Sequence, residues 1–176
     1  MSVRRLLVLF LLVGSLLTLP VPSATAGPRT TAEFVRVTNA ARRAHHLRPL
    51  AVSPTLTRLA RAHSGAMARR AAARYGGRCD GRALWHNDIS RRAGRWVWLG
   101  QNVGCGTLGR DVRASVRRIQ NAFMNSAGHR RNILYRRATP FGVSTWIAGR
   151  VIRVTVNFKQ VPPADPAGRY PLTGRR

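Results

Sequence analysis

The chain reads as an α+β protein built in layers, and three observations predict it. Helical periodicity fills the first half, alternating β-rich runs close the second half, and one amphipathic helical segment lies between them.

Thr30-Thr31-Ala32-Glu33 has the form of a capping box, and Phe34, Val37, Ala41 and Ala44 follow at helical spacing. This first helix ends before Pro49. Ser53-Pro54 supplies an N-cap and a first-turn proline for a second helix. Its stripe is Leu56, Leu59, Ala60, His63 and Met67, and it continues through an Ala/Arg-rich stretch to Gly76-Gly77. Little periodicity follows until Trp96 to Leu99, which read as a short strand with Trp96 and Trp98 on one face. A third helix spans about Asp111 to Asn125, with Val112, Val116, Ile119 and Phe123 on one face. Asn125, Ser126 and Gly128 are then expected to break it, with His129 directly on the break. Phe141 to Ile147 and Val151 to Phe158 form a hairpin around Ala148-Gly149-Arg150. Val154, Val156 and Phe158 alternate with Arg153, Thr155 and Asn157, which predicts one packed face and one wet face. There is no internal repeat.

The first residues have the layout of an export signal. Arg4 and Arg5 precede the apolar run Leu6 to Leu19, and Ala24-Thr25-Ala26 gives a small-residue cleavage pattern. The run is short against the roughly 20 residues of a membrane span. The expected organisation is therefore a signal peptide over 1–26, one secreted domain over 27–160, and a Pro/Gly/Arg-rich loose tail over 161–176. The full chain carries 31 Lys and Arg against five Asp and Glu. Without Arg4 and Arg5, 29 cations oppose five anions, a net +24. Such a field attracts anionic lipid, wall polymers and nucleic acid without selecting among them. Two cysteines in an exported chain, Cys79 and Cys105, predict a disulfide. Closing that loop contributes about 3–4 kcal/mol in the loop-entropy model and restrains His86 and Gln101, which lie inside it.

Four stretches in order carry a family resemblance. They are Asn39 to His63, Leu84-Trp85-His86-Asn87, Gly100-Gln101-Asn102-Val103-Gly104, and Phe123 to Leu134 followed by Phe141-Gly142-Val143. Over roughly Glu33 to Phe158 the chain resembles the CAP superfamily of cysteine-rich secretory, antigen 5 and pathogenesis-related proteins, most closely its small bacterial secreted SCP-domain branch. The resemblance implies a three-layer α-β-α sandwich with a mixed or antiparallel central sheet. It also implies a cleft with two histidines and two acids, which in several members binds a divalent metal, often zinc. His86 and His129 match the histidines. The first acidic position falls on Gln101, and the second falls near Asn125 or Ser126, where no carboxylate stands. A metal at His86 and His129 would thus be weakly held, unless Asp80 or Asp88 swings in.

The cleft-binding candidates are His86, Gln101, Asn102, Ser126 and His129, offering imidazoles, amides and a hydroxyl to a ligand. The bland reading of the polar ones is that they tie sheet to loops as satisfied buried groups. The resemblance favours an extracellular binding module for an anionic lipid, cell-wall or protein ligand, and assigns no catalytic residue. One alternative is a hydrolase with Ser126 as nucleophile, His129 or His86 as base and the Gln101 amide as an orienting or oxyanion donor. Another is charge-driven nucleic-acid binding, with Trp85, Trp96, Trp98 and Trp146 as stacking platforms, although no recognised motif supports it. His63 reads as a core histidine, His45-His46 as a helix-end pair, and Arg69-Arg70 and Arg130-Arg131 as solvated faces. Of these, Arg130-Arg131 is the better ligand candidate because it adjoins His129.

Overall fold

The computed structural model describes residues 25–164; residues 1–24 of the expected signal peptide (1–26) and residues 165–176 of the expected tail (161–176) lie outside the described residues. In chain order the elements are β1 (Thr25–Ala26), α1 (Pro28–Ala44), β2 (Ala51–Val52), α2 (Pro54–Tyr75), a 3-10 turn (Gly81–Ala83), β3 (Trp98–Thr107), α3 (Val112–Asn125), α4 (Ala127–Ile133), β4 (Pro140–Ala148) and β5 (Val151–Gln160). The sheet runs β1-β4-β5-β3, and β2 adds to β4 as the parallel member of a mixed sheet. The ordered sheet thus begins at Thr25, inside the segment the sequence assigns to the signal peptide.

The starts of α2 and α3 follow local capping chemistry, and that of α1 does not. Ser53 caps α2 by accepting from the Leu56 N–H at 3.3 Å, and Gly76 ends it in the left-handed region. Asp111 caps α3 through the Ala114 N–H. The capping box at Thr30 to Glu33 does not form. Gly27 is the N-cap of α1, with Pro28 in the first turn. The Thr30 and Thr31 hydroxyls instead meet Thr145 of β4, and Glu33 pairs with Arg36.

Register fixes the layers. On one face Phe141 and Val143 of β4 and Ile152, Val154, Val156 and Phe158 of β5 pack against α1, α3 and α4 through Phe34, Val37, Val116, Ile119, Phe123 and Ile133. The other face of β5 is not wet. Arg153, Thr155 and Asn157 are 1%, 0% and 0% exposed, because β5 is central and α2 covers it. Each of the three is bonded there. Thr155 meets the Ser64 hydroxyl at 3.0 Å, Asn157 Nδ2 donates to the Leu56 carbonyl at 3.2 Å, and Arg153 Nη2 donates to the Gly77 and Arg78 carbonyls at 2.7 Å. The result is an α-β-α sandwich.

The strand expected over Trp96 to Leu99 catches only the start of β3, and the two tryptophans do not share a face. Trp96 packs with Leu56, Ile89 and Ala93, whereas Trp98 stacks on Tyr135 at 4.0 Å beside the larger core. The rest of β3 is glycine-rich for a packing reason. A Cβ on Gly104 would lie 2.8 Å from the Phe123 ring, and one on Gly106 would lie 2.8 Å from Ile119. Bare backbone lets α3 lie directly on the strand. A disulfide joins Cys79, just beyond α2, to Cys105 of β3 with a Cα–Cα distance of 5.5 Å.

Candidate functional site: a histidine cleft at the sheet edge

β3 is an outer strand, so its successive side chains alternate between the two helical layers along a free edge. Gln101 lies opposite Asn157 on the α2 side, and Asn102 lies opposite Val156 on the α4 side. The two amides do different work. Gln101 Nε2 donates to Asn87 Oδ1 and Asn157 Oδ1, both at 2.8 Å, and its Oε1 accepts from the Asn87 N–H at 3.1 Å. Both amide protons are therefore committed, and the role of free oxyanion donor assigned to Gln101 under the hydrolase alternative is not available. The same bonds pin the loop that carries His86. Asn102 is fully buried; its Nδ2 donates to the His129 carbonyl at 3.0 Å and its Oδ1 accepts from Asn132 Nδ2 at 2.9 Å. Asn132 Nδ2 also reaches the Gln101 carbonyl at 3.2 Å, which fastens α4 to β3.

His86 and His129 thus approach one strand edge from opposite layers. Burial holds the His129 ring below its ordinary 6.5, and the charge of His86 pushes in the same direction. The ring leans on Phe123 with centroids 4.8 Å apart. A third histidine lies near His86. His63 is buried on α2, its Nε2 sits 2.8 Å from the Trp85 carbonyl, and burial lowers its pKa more than that bond raises it, with His86 lowering it further.

His129 does not sit on the helix break. α3 ends at Asn125, α4 restarts at Ala127, and Gly128 and His129 lie inside α4, leaving Ser126 alone as the hinge residue. The Ser126 hydroxyl makes no cap hydrogen bond. It stands three positions before His129 at the start of α4, and no hydrogen bond links it to that ring among the described residues.

The donor set does not fit a resident zinc ion. Zinc sites are four-coordinate, with three or four protein nitrogen, thiolate or carboxylate ligands, and among the described residues no three His, Cys, Asp or Glu side chains converge. Asp80 is tied to Arg82, whose hydrogen bonds hold its pKa at about 2. Asp88 accepts from the Ser90 N–H at 2.8 Å. Neither carboxylate reaches the histidines.

Residue-by-residue reading from the sequence did not single out Asn87, Asn132 and Asn157, the three amides that hold the cleft together. A signal existed for Asn157: an asparagine amid β-branched neighbours is costly to bury without a partner, and Gln101 is that partner. Of the remaining residues, Arg130 and Arg131 are exposed, His45 is the C-cap of α1, and Trp146 packs over Gly65 of α2.

No curated protein matches the sequence at a significant level. Solved structures do match in fold. A cysteine-rich secretory protein from Staphylococcus aureus aligns at 19% identity and TM-score 0.53 over 76% of this chain and 38% of its own. An extracellular SCP-domain protein from Bacillus anthracis aligns at 20% and 0.56, over 75% of this chain and 40% of its own. The chain thus spans about two fifths of the length of these two proteins. An outer surface protein from Borrelia burgdorferi aligns at 14% and 0.56, over 79% of this chain and 99% of its own. The model of the cysteine-rich secretory protein family, CAP, matches residues 35–158, and the chain belongs to that family.

Proposed function

We propose that this protein is an extracellular binding module that recognises an anionic ligand (lipid, cell-wall polymer or protein) at the histidine cleft. The observation that carries the reading is the division of labour among the cleft's polar groups. The amides of Gln101, Asn102, Asn87 and Asn132 bond one another or nearby backbone. The rings of His86 and His129 and the hydroxyl of Ser126 have no hydrogen-bond partner among the described residues. A rigid frame thereby presents three unmatched hydrogen-bonding groups, which is what a recognition site needs. The surrounding positive charge favours an anion. The export-like first residues support action outside the cell, as does the shared fold of the extracellular Bacillus protein and the Borrelia outer surface protein.

A hydrolase would use the same Ser126 and His129. It is less well supported, because among the described residues no carboxylate bonds the His129 ring to orient it or to stabilise the imidazolium.

The test compares the oxidised protein with the double substitution His86→Ala, His129→Ala for binding to anionic vesicles and to an anionic wall polymer across a salt series. The substitution barely changes net charge. Selective loss of one ligand at moderate salt supports the cleft as the recognition site. Identical binding, released alike as salt rises, reduces the attraction to charge alone and returns the histidines to a structural role.

A further inference from the structure

The end of the sheet where β4 begins and β5 finishes differs in chemistry from the cleft. Two grooves meet there on either side of Arg136 and Arg137. One, of about 550 Å³, is walled by Leu47, Arg48 and Pro49 of the α1–β2 loop. The other, of about 540 Å³, is walled by Arg131, Leu134 and Tyr135 of the α4–β4 segment. Arg48, Arg131, Arg136 and Arg137 make no side-chain hydrogen bond or ion pair among the described residues. The carboxylates among the described residues are occupied elsewhere: Glu33 with Arg36, Asp80 with Arg82, Asp88 with Ser90, and Asp111 at the start of α3.

The scaffold beneath is rigid. Arg42, a fully buried side chain, donates through Nε to the Arg48 carbonyl at 2.8 Å and through Nη1 to the Ile133 and Tyr135 carbonyls at 2.7 and 3.0 Å. One buried cation thus clasps both loops. At the groove's lip, His46 sits in the left-handed region with φ 55°.

The large aliphatic side chains that stand exposed among the described residues are Val52, Val97 and Val161, at 48%, 47% and 36%. Strand pairing puts all three at this same end. Val52 lies beside Phe141 on β2, the Val97 N–H donates to the Gln160 carbonyl at 3.0 Å, and the Val161 N–H donates to Thr139 Oγ1 at 3.4 Å. Across β2, β4, β5 and β3, at nearly 5 Å per strand, their backbone positions span about 15 Å of this end. Unpaired arginines bordered by exposed aliphatics match a bilayer interface, where phosphates lie just outside an apolar layer. A soluble polyanion has no use for the valines.

We propose that this end of the molecule docks on the surface of an anionic phospholipid bilayer. Arg48, Arg131, Arg136 and Arg137 take headgroup phosphates while Val52, Val97 and Val161 enter the interface. This extends the binding reading to a surface separate from the histidine cleft and does not depend on it.

Partition of the full, oxidised protein onto vesicles of phosphatidylcholine mixed with phosphatidylglycerol tests the assignment, with soluble polyphosphate as the phosphate-only arm. Arg136→Gln with Arg137→Gln should weaken vesicle partition by about thirtyfold. The control pair Arg58→Gln with Arg61→Gln, which removes equal charge from the outer face of α2, should cost about threefold or less. Val52→Ser with Val161→Ser should weaken vesicle partition by about tenfold and leave polyphosphate binding unchanged. Equal losses from the two arginine pairs overturn the proposal in favour of diffuse charge. Unchanged vesicle binding by the valine pair overturns the bilayer in favour of a soluble phosphate polymer, and absence of wild-type partition overturns it outright. His86→Ala with His129→Ala should leave the losses caused by the arginine and valine pairs unchanged, so failure of the cleft reading and failure of this one give different results.

Discussion

The cleft at the β3 edge and the arginine-lined end of the sheet both concentrate polar side chains, yet they differ in which of these are satisfied from within. In the cleft, each buried amide has partners: Gln101 bonds Asn87 and Asn157, and Asn102 bonds Asn132 and the His129 carbonyl. At the sheet end, four arginines have none among the described residues, and the satisfied polar side chains there include Arg42, which lies beneath them, and Tyr135, bonded to Gln160. Polarity satisfied from within builds the frame. Polarity left unmatched on a rigid frame marks where something else belongs.

The sharpest way to break that contrast is to remove a framing residue from each region. Arg42→Met should destabilise the protein by about 3–5 kcal/mol, since three backbone carbonyls lose their donor. Chemical denaturation reads this directly, and a loss under 1 kcal/mol (roughly the cost of one ordinary hydrogen bond) would deny Arg42 its clasping role. Asn102→Ala should cost about 2–3 kcal/mol by removing the side-chain donor to the His129 carbonyl and leaving Asn132 Nδ2 with the Gln101 carbonyl alone. Arg136→Gln with Arg137→Gln should change stability by no more than about 0.5 kcal/mol, because those side chains hold nothing in place.

Acid sharpens the same comparison. His129 and His63 have lowered pKa values in the fold, so below about 6.5 the unfolded chain takes up protons that the folded chain refuses. Their contribution to stability is complete above 6.5 and declines as the pH falls toward the lowered folded values. His129→Phe should flatten part of that decline in melting temperature, whereas Arg136→Gln with Arg137→Gln should leave its shape unchanged. A parallel decline in wild type and His129→Phe would mean that His129 is not held neutral by its surroundings.

Much of this architecture was legible because local chemistry decides it. Ser53-Pro54 and Gly76 bound α2, Asp111 opens α3, and Gly149 turns the β4–β5 hairpin. What was not legible depends on contacts distant in sequence. β3 looks like a loop because Gly100, Gly104 and Gly106 carry no strand signal, and their reason is the approach of Trp98, Phe123 and Ile119. β5 alternates like a half-exposed strand because its second face meets polar partners on α2 and β3. Thr30 and Thr31 read as helix-cap residues until Thr145, more than a hundred positions away, claims them. In the site, His86 and His129 were visible as residue types at motif positions. Their convergence was not, because it comes from Asn87, Asn132 and Asn157 fastening two layers to one edge strand.

The most direct test measures binding to anionic vesicles and an anionic wall polymer over a salt series for three proteins side by side: wild type, His86→Ala with His129→Ala, and Arg136→Gln with Arg137→Gln. Two surfaces with separate tasks predict that the histidine pair alters which ligand is preferred while the salt slope on vesicles holds. The arginine pair should reduce that slope and leave preference at the cleft unchanged. If both variants move slope and preference together, or neither moves either, the division between a cleft framed by satisfied amides and an outward-facing docking end is contradicted.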